Sequence, residues 1–118
     1  MLLKVLRAKI HRATITQADV DYVGSITLDP ELIEAVGIVP GECVLVADLD
    51  NGARFETYVM LGERGTGTVC INGAAARLVE AGHKVIIMAF GYVEPGEAAA
   101  QKPVIVLVDA GNRVVRRL

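Results

Sequence analysis

ECVLVADLDNGARFETYVML, residues 42–61, reads as two strands joined by a tight turn. Glu42 to Leu49 is an apolar run of strand length. Asp50-Asn51-Gly52 is a strong hairpin signal, because these residues accept the positive φ angles that a two-residue turn requires, so Ala53 to Leu61 should return antiparallel to it. Alternation then sets Arg54, Glu56, Tyr58 and Met60 on one face of the second strand and Phe55, Thr57 and Val59 on the other. A hairpin this clear predicts a mainly β protein.

Toward the C-terminus, Gly62 to Gly67 is a glycine-rich connector that lacks the Lys-Ser/Thr ending of a phosphate loop and the spacing of a dinucleotide fingerprint. Thr68 to Ile71 is a further strand. Asn72 is a candidate cap for a short helix over Ala74 to Glu80, ending near Gly82. The unbroken apolar run Val85 to Phe90 predicts a strand buried on both faces. Glu94 to Lys102 is a loop or weak helical turn, and Val104 to Val108 with Arg113 to Arg116 forms a last pair of strands around Ala110-Gly111-Asn112.

Toward the N-terminus, Asp29-Pro30-Glu31 opens a helix that Gly37 stops, since Asp caps, Pro suits the first helical position and Gly accepts the left-handed end. Tyr22-Val23-Gly24-Ser25 is a short run, preceded by a polar, turn-like Thr14 to Asp19. Residues 2–13 alternate as a strand, with Arg7, Lys9, His11 and Ala13 sharing one face. The count is about seven short strands and two short helices with turn signals every ~8–12 residues, the pattern of a small β-barrel.

The 118 residues suit one domain, 1–118. Hydrophobic residues make up 53%, so disorder is excluded and part of the apolar surface is expected in subunit interfaces. A net charge of −2 argues against nucleic acid as a partner. No apolar run reaches the ~20 residues of a membrane span, and Lys4 and Arg7 interrupt the apolar start, so a cytoplasmic protein without membrane attachment is expected. Cys43 and Cys70 lie in apolar runs without ligand spacing. They read as buried thiols, and no metal is expected.

The reactive inventory is short. His11 and His83 are the only histidines, and no nucleophile-elbow sequence accompanies them, which makes a Ser-His-Asp hydrolase a weak hypothesis. Taken alone, Gly24-Ser25 is a turn or bulge, Arg54 a surface arginine beside a hairpin, and Tyr58 a core tyrosine. A non-catalytic barrel serving assembly or ligand binding is therefore the competing class.

Several segments together change that balance. Lys9-Ile10-His11-Arg12, Ala18-Asp19, Tyr22-Val23-Gly24-Ser25, Asp50-Asn51-Gly52, Arg54, Thr57-Tyr58, Gly62-Glu63-Arg64-Gly65 and Ile71-Asn72-Gly73-Ala74-Ala75-Ala76 stand in an order and spacing that resembles the pyruvoyl-dependent aspartate 1-decarboxylases. Relatives commonly carry histidine where Arg77 stands and aspartate where His83 stands. The resemblance implies a six- or seven-stranded double-psi β-barrel, and a homotetramer with sites between neighbouring subunits. It also implies decarboxylation of L-aspartate to β-alanine for pantothenate and coenzyme A synthesis.

The resemblance further implies that Ser25 attacks the Gly24 carbonyl. The chain is then cut into 1–24 and 25–118, either spontaneously or with a maturation factor, and Ser25 becomes a pyruvoyl cofactor that takes substrate as a Schiff base. On this reading Tyr58 is the proton donor, and Thr57 assists cleavage and also binds substrate. Arg54 and Lys9 hold the side-chain carboxylate, a choice that keeps cations away from the departing carboxylate, whose charge is lost in the transition state. Asn72, Gly73, Ala74 and Ala75 contact substrate oxygens, and His11 and Tyr22 line the site.

Overall fold

The computed structural model describes residues 1–118. The hairpin at its centre forms as expected: β4 (Cys43–Asp48) pairs antiparallel with β5 (Arg54–Leu61), Ala47 opposite Arg54 and Cys43 opposite Tyr58. The Asp48 carboxylate accepts from the Asp50 N–H at 2.7 Å, and the Asn51 side-chain oxygen accepts from the Ala53 N–H at 2.9 Å. Such side-chain bonds to turn amides explain why Asp and Asn favour this position. Along β5, Arg54, Glu56, Tyr58 and Met60 are exposed while Val59 is buried, as the alternation requires.

The remaining strands are β1 (Leu3–Thr14), β2 (Gln17–Asp19), β3 (Ser25–Leu28), β6 (Val69–Asn72), β7 (Lys84–Val93), β8 (Val104–Val108) and β9 (Val114–Arg117). They form one sheet in the order β2-β6-β3-β5-β4-β7-β1-β8-β9. Nine strands replace the expected seven or so. Part of the difference is β2, in the stretch that reads as a polar turn: three edge residues carry too little periodicity to announce a strand, and pairing with β6 makes it one. The pairs β1/β8, β2/β6 and β3/β5 are parallel and the others antiparallel.

The sheet is not closed by a continuous ladder, a geometry compatible with a small double-psi barrel, and single bonds join its distant parts. The Thr16 N–H donates to the Val69 carbonyl at 2.8 Å. The buried Asn112 side chain donates to the Thr14 and Gly67 carbonyls, at 2.8 and 2.7 Å, and accepts from the Thr14 N–H at 2.7 Å.

A bulge corrects the reading of β1. Its register against β7 slips between Ile10 and Ala13, where Arg12 has φ 68°. The extra residue resets the alternation, so Ala13 joins Ala8 and Ile10 in the core instead of sharing a face with Lys9 and His11. On β7, Val85, Ile87 and Ala89 are buried but Ile86, Met88 and Phe90 only half so. The apolar run is thus buried on one face, and its other face remains partly open in a single chain.

Helix α1 (Pro30–Val36) follows the expected signals. The Asp29 carboxylate caps it, accepting from the Glu31 N–H at 2.9 Å, and Gly37 at φ 79° ends it. Asp29 does more than cap, because its carboxylate also accepts from the N–H groups of Gly65 at 3.1 Å and Gly67 at 2.9 Å, tying down the β5–β6 connector. Burial by itself pushes this carboxyl up, yet the amide donors of Glu31, Gly67 and Gly65, with Arg113 nearby, hold it below the usual range. A one-turn helix, α2 (Pro95–Ala98), interrupts the loop before β8. No helix is long and apolar enough to cross a membrane.

Candidate active site at the Gly24–Ser25 bond

Ser25 is the first residue of β3 and lies opposite Asn72 of β6. It is fully buried, whereas Gly24 before it is exposed, so this peptide bond stands where an open loop enters the sheet. The Ser25 hydroxyl oxygen accepts from the Asn72 amide nitrogen at 3.0 Å and lies 3.4 Å from the Val23 carbonyl. The same Asn72 nitrogen donates to the Thr27 hydroxyl at 2.9 Å. On its other side, the Asn72 amide oxygen accepts from the Cys70 thiol at 3.1 Å.

Asn72 is therefore not the helix cap expected of it. Its backbone is extended, its side chain makes no capping bond, and the following segment is a 3₁₀ turn, Gly73–Leu78, in place of a longer helix. Reaching across the sheet satisfies both ends of a buried amide, which a capping bond alone leaves half unpaired.

Gly73 is indispensable on two counts. Its φ is 77°, and a Cβ built on it would fall 2.5 Å from the Gly24 Cα and 2.9 Å from the Gly24 nitrogen. The segment Asn72-Gly73 thus presses directly on the residue whose carbonyl Ser25 would attack. Ala74 and Ala75 follow in the first turn of the 3₁₀ segment.

Tyr22 and Tyr58 come together across an open, largely apolar cleft of about 710 Å³, whose wall includes Val23, Met60 and Leu61. Tyr22 also borders a smaller hollow of about 290 Å³ with Asp19, Thr27, Cys70 and Asn72. The parallel register of β3 with β5 begins at Ile26 opposite Val59. Tyr58 and Thr57 immediately precede Val59 on β5, at the end of that ladder where Ser25 begins β3. Because β5 runs without a bulge along β4, Thr57 and Arg54 point to opposite faces, as simple alternation requires.

Arg54 is exposed at the start of β5, and the ion pairs of the chain engage Arg7, Arg64, Arg113 and His83 but neither Arg54 nor Lys9. Lys9 lies on β1, four places from β3 in the sheet order. Its register runs through Met88 and Leu45 to Glu56, along the partly open face. His11, also on β1, has a buried Nδ1 without a hydrogen-bond partner; burial, with Lys9 and Arg12, pushes its pKa down and favours the neutral ring.

Asp48, Asp50 and His83 form the one group of three metal-capable side chains. Their atoms are already engaged: Asp48 bonds His83 Nδ1 at 2.7 Å, and Asp50 accepts from the Lys84 N–H at 2.8 Å. The bond to Asp48 raises the His83 pKa despite partial burial. Of the two cysteines, Cys70 is buried but Cys43 is exposed, correcting the reading of both as buried.

Cys70 and Thr27 are the residues that sequence reasoning missed. Period two along β6 puts Cys70 on the face of Asn72, and period two along β3 puts Thr27 on that of Ser25. Only the pairing of these two strands joins the sets.

A model of the aspartate decarboxylase family matches residues 1–115. The chain is 57% identical over 116 residues to an aspartate 1-decarboxylase of Caldicellulosiruptor saccharolyticus, covering 98% of this chain and 91% of the relative. It is 56% identical over 118 residues to that of Lactiplantibacillus plantarum, covering 100% and 91%. With that of Bacillus cereus the identity is 52% over 118 residues, covering 100% and 93%.

Proposed function

The chain belongs to the aspartate decarboxylase family, and on that premise we propose that it converts L-aspartate to β-alanine and carbon dioxide with a pyruvoyl group made from its own Ser25. The observation that carries this reading is the buried Ser25 hydroxyl, held by Asn72 next to the exposed Gly24. The product β-alanine feeds pantothenate and coenzyme A synthesis, and the reaction is assigned to the cytoplasm.

The residues fit such a group. In the N-to-O shift the Ser25 oxygen bonds to the Gly24 carbonyl carbon, the C–N bond breaks, and the proton passes to the freed amine. Elimination then passes the Ser25 Cα proton to water as the Cβ–O bond breaks, leaving a Cα=Cβ double bond and releasing residues 1–24 with a carboxylate end. Water replaces the nitrogen of residue 25, ammonia leaves, and residues 25–118 begin with a ketone. Gly24 favours this by adding no side chain over its carbonyl. Thr57, two residues before Val59 on β5, supplies a hydroxyl to polarise that carbonyl, and Asn72 donates to the oxygen that attacks.

A pyruvoyl group at residue 25 would supply a carbonyl for the substrate amine and an electron sink for loss of the carboxylate. The surrounding residues bind and protonate. Arg54, free of any ion pair within the chain, grips the side-chain carboxylate with its planar fork. Tyr58, in the cleft with Tyr22, delivers the proton to the substrate carbon. The N–H groups of Ala74 and Ala75, with Asn72 and Gly73, hold substrate oxygens, and Tyr22 lines the site from this chain.

Lys9 and His11 share the partly open face of β1, four strands from Ser25 in the sheet order. We place that face of β7 and β1 against a neighbour in a homotetramer, with Lys9 and His11 serving an adjoining subunit's site. The half-buried Met88, Leu45 and Phe90 on that face support the arrangement.

The test compares the purified chain with Ser25→Ala by denaturing gel, intact mass and β-alanine release. Fragments 1–24 and 25–118 with a carbonyl-reactive end are expected, and the variant should be neither cut nor active. One uncut 118-residue species after prolonged incubation, alone and with cell extract, would return the chain to a non-catalytic barrel.

A further inference from the structure

We infer that Cys70 is a positioning residue for self-cleavage, acting through Asn72 to hold an N–H donor on the Ser25 oxygen. The inference rests on the reading of Gly24–Ser25 as a self-cleaving bond and adds to it a residue that touches neither reacting atom.

The side-chain amide of Asn72 has two faces that differ only in which end carries hydrogen. Its nitrogen meets Ser25 at 3.0 Å and Thr27 at 2.9 Å, and its oxygen meets the Cys70 sulfur at 3.1 Å. Rotating the amide by half a turn would offer its oxygen to the two hydroxyls, both of which can donate. Ser25 and Thr27 are therefore indifferent to the choice, because a hydroxyl donates and accepts equally well. Cys70 is not. A thiol donates to an amide oxygen, but its sulfur is a weak acceptor for an N–H, so the thiol favours the orientation in which nitrogen faces Ser25.

The surroundings make that preference count. Asn72 is 3% exposed and Cys70 8%, so water offers little substitute for the thiol. Burial, with the charge of Asp19, pushes the Cys70 thiol up, and it stays protonated and able to donate at neutral pH.

Orientation matters to the chemistry because Ser25 must lose its proton as it attacks. An N–H aimed at its oxygen stabilises the charge that develops there, in the manner of an oxyanion donor, and leaves the hydroxyl hydrogen free to turn toward the Val23 carbonyl. The reversed amide would hold that hydrogen and withdraw the donor.

The experiment follows the first-order loss of intact chain by mass spectrometry in the unsubstituted protein, Cys70→Ala, Cys70→Ser and Cys70→Val. Cleavage should slow ~5- to 10-fold in Cys70→Ala and Cys70→Val, the size expected for one neutral hydrogen bond, and return to within about twofold in Cys70→Ser, which restores a donor. Rescue by serine is the readout that packing alone would not produce. Cleavage unchanged in Cys70→Ala, or slowed equally in Cys70→Ala and Cys70→Ser, overturns the inference and leaves self-cleavage itself standing. An uncut unsubstituted chain would defeat both.

Discussion

Replacing Gly73 by alanine puts a methyl group where the structure has no room for one. The new Cβ would lie 2.5 Å from the Gly24 Cα, against the 3.4–4 Å of ordinary contact, so the Gly24 backbone must retreat by about 0.9 Å. Alanine at φ 77° also carries a backbone cost of roughly 1–2 kcal/mol. These two effects can be separated. Gly52, in the hairpin, has φ 78° and nothing within 4 Å of its would-be Cβ, so Gly52→Ala carries the backbone cost without the collision. A misplacement of about 1 Å in a reaction that depends on alignment costs ~10²-fold in rate. Gly73→Ala should therefore slow Gly24–Ser25 cleavage ~10²-fold, and Gly52→Ala less than twofold, with Gly73→Ala losing more thermal stability than Gly52→Ala because it alone adds the collision to the shared backbone cost. The assay is the fraction of intact chain against time on a denaturing gel, beside a melting curve for each variant. Wild-type cleavage in Gly73→Ala, or equal slowing in Gly52→Ala, would refute the claim that Gly73 seats the scissile bond.

Arg54→Ala should still be cut but should lose about 3 kcal/mol of substrate binding in the transition state, ~10²-fold in kcat/KM for aspartate. Unchanged saturation kinetics would remove Arg54 from the site. Tyr58→Phe should likewise be cut normally, with kcat falling ~10²-fold or more, and cleavage failing in step with turnover would argue against its role as proton donor. Asp29→Ala removes a helix cap and leaves the Gly65 and Gly67 N–H groups without partners, for a loss of about 3 kcal/mol. Because the folded pKa of Asp29 lies below its unfolded value, its contribution is fully present above about pH 4–5 and fades as pH falls through the folded value. Urea midpoints at matched protein concentration, in a Ser25→Ala background that keeps the chain whole, should therefore differ at pH 7 and converge in acid. A constant gap would show that packing, not the carboxylate's bonds, is at work.

The elements that were legible from the chain alone are those whose cause is local. Asp50-Asn51-Gly52 turns because of its own backbone preferences and the bonds its side chains make to adjacent amides. Asp29-Pro30 starts α1 and Gly37 ends it for reasons contained within nine residues. The faces of β5 follow from a period of two that no bulge disturbs. Where a bulge does intervene, at Arg12, the same rule misplaces Ala13, because one added residue inverts every side chain beyond it.

By itself the sequence determined a single, mainly β domain, its central hairpin, and the short set of side chains able to do chemistry around Gly24–Ser25. Only the tertiary structure decided which of them meet. Ser25 finds Asn72 and Cys70 through a strand pairing that spans more than forty residues of chain, and nothing in either strand names its partner. That pairing turns Asn72 from a helix cap into the donor on Ser25 and brings Gly73 against Gly24. The sheet order sets Lys9 four strands from Ser25. The physical reason is that a strand's faces are set by neighbouring residues, whereas its neighbours in the sheet are set by how the whole core closes.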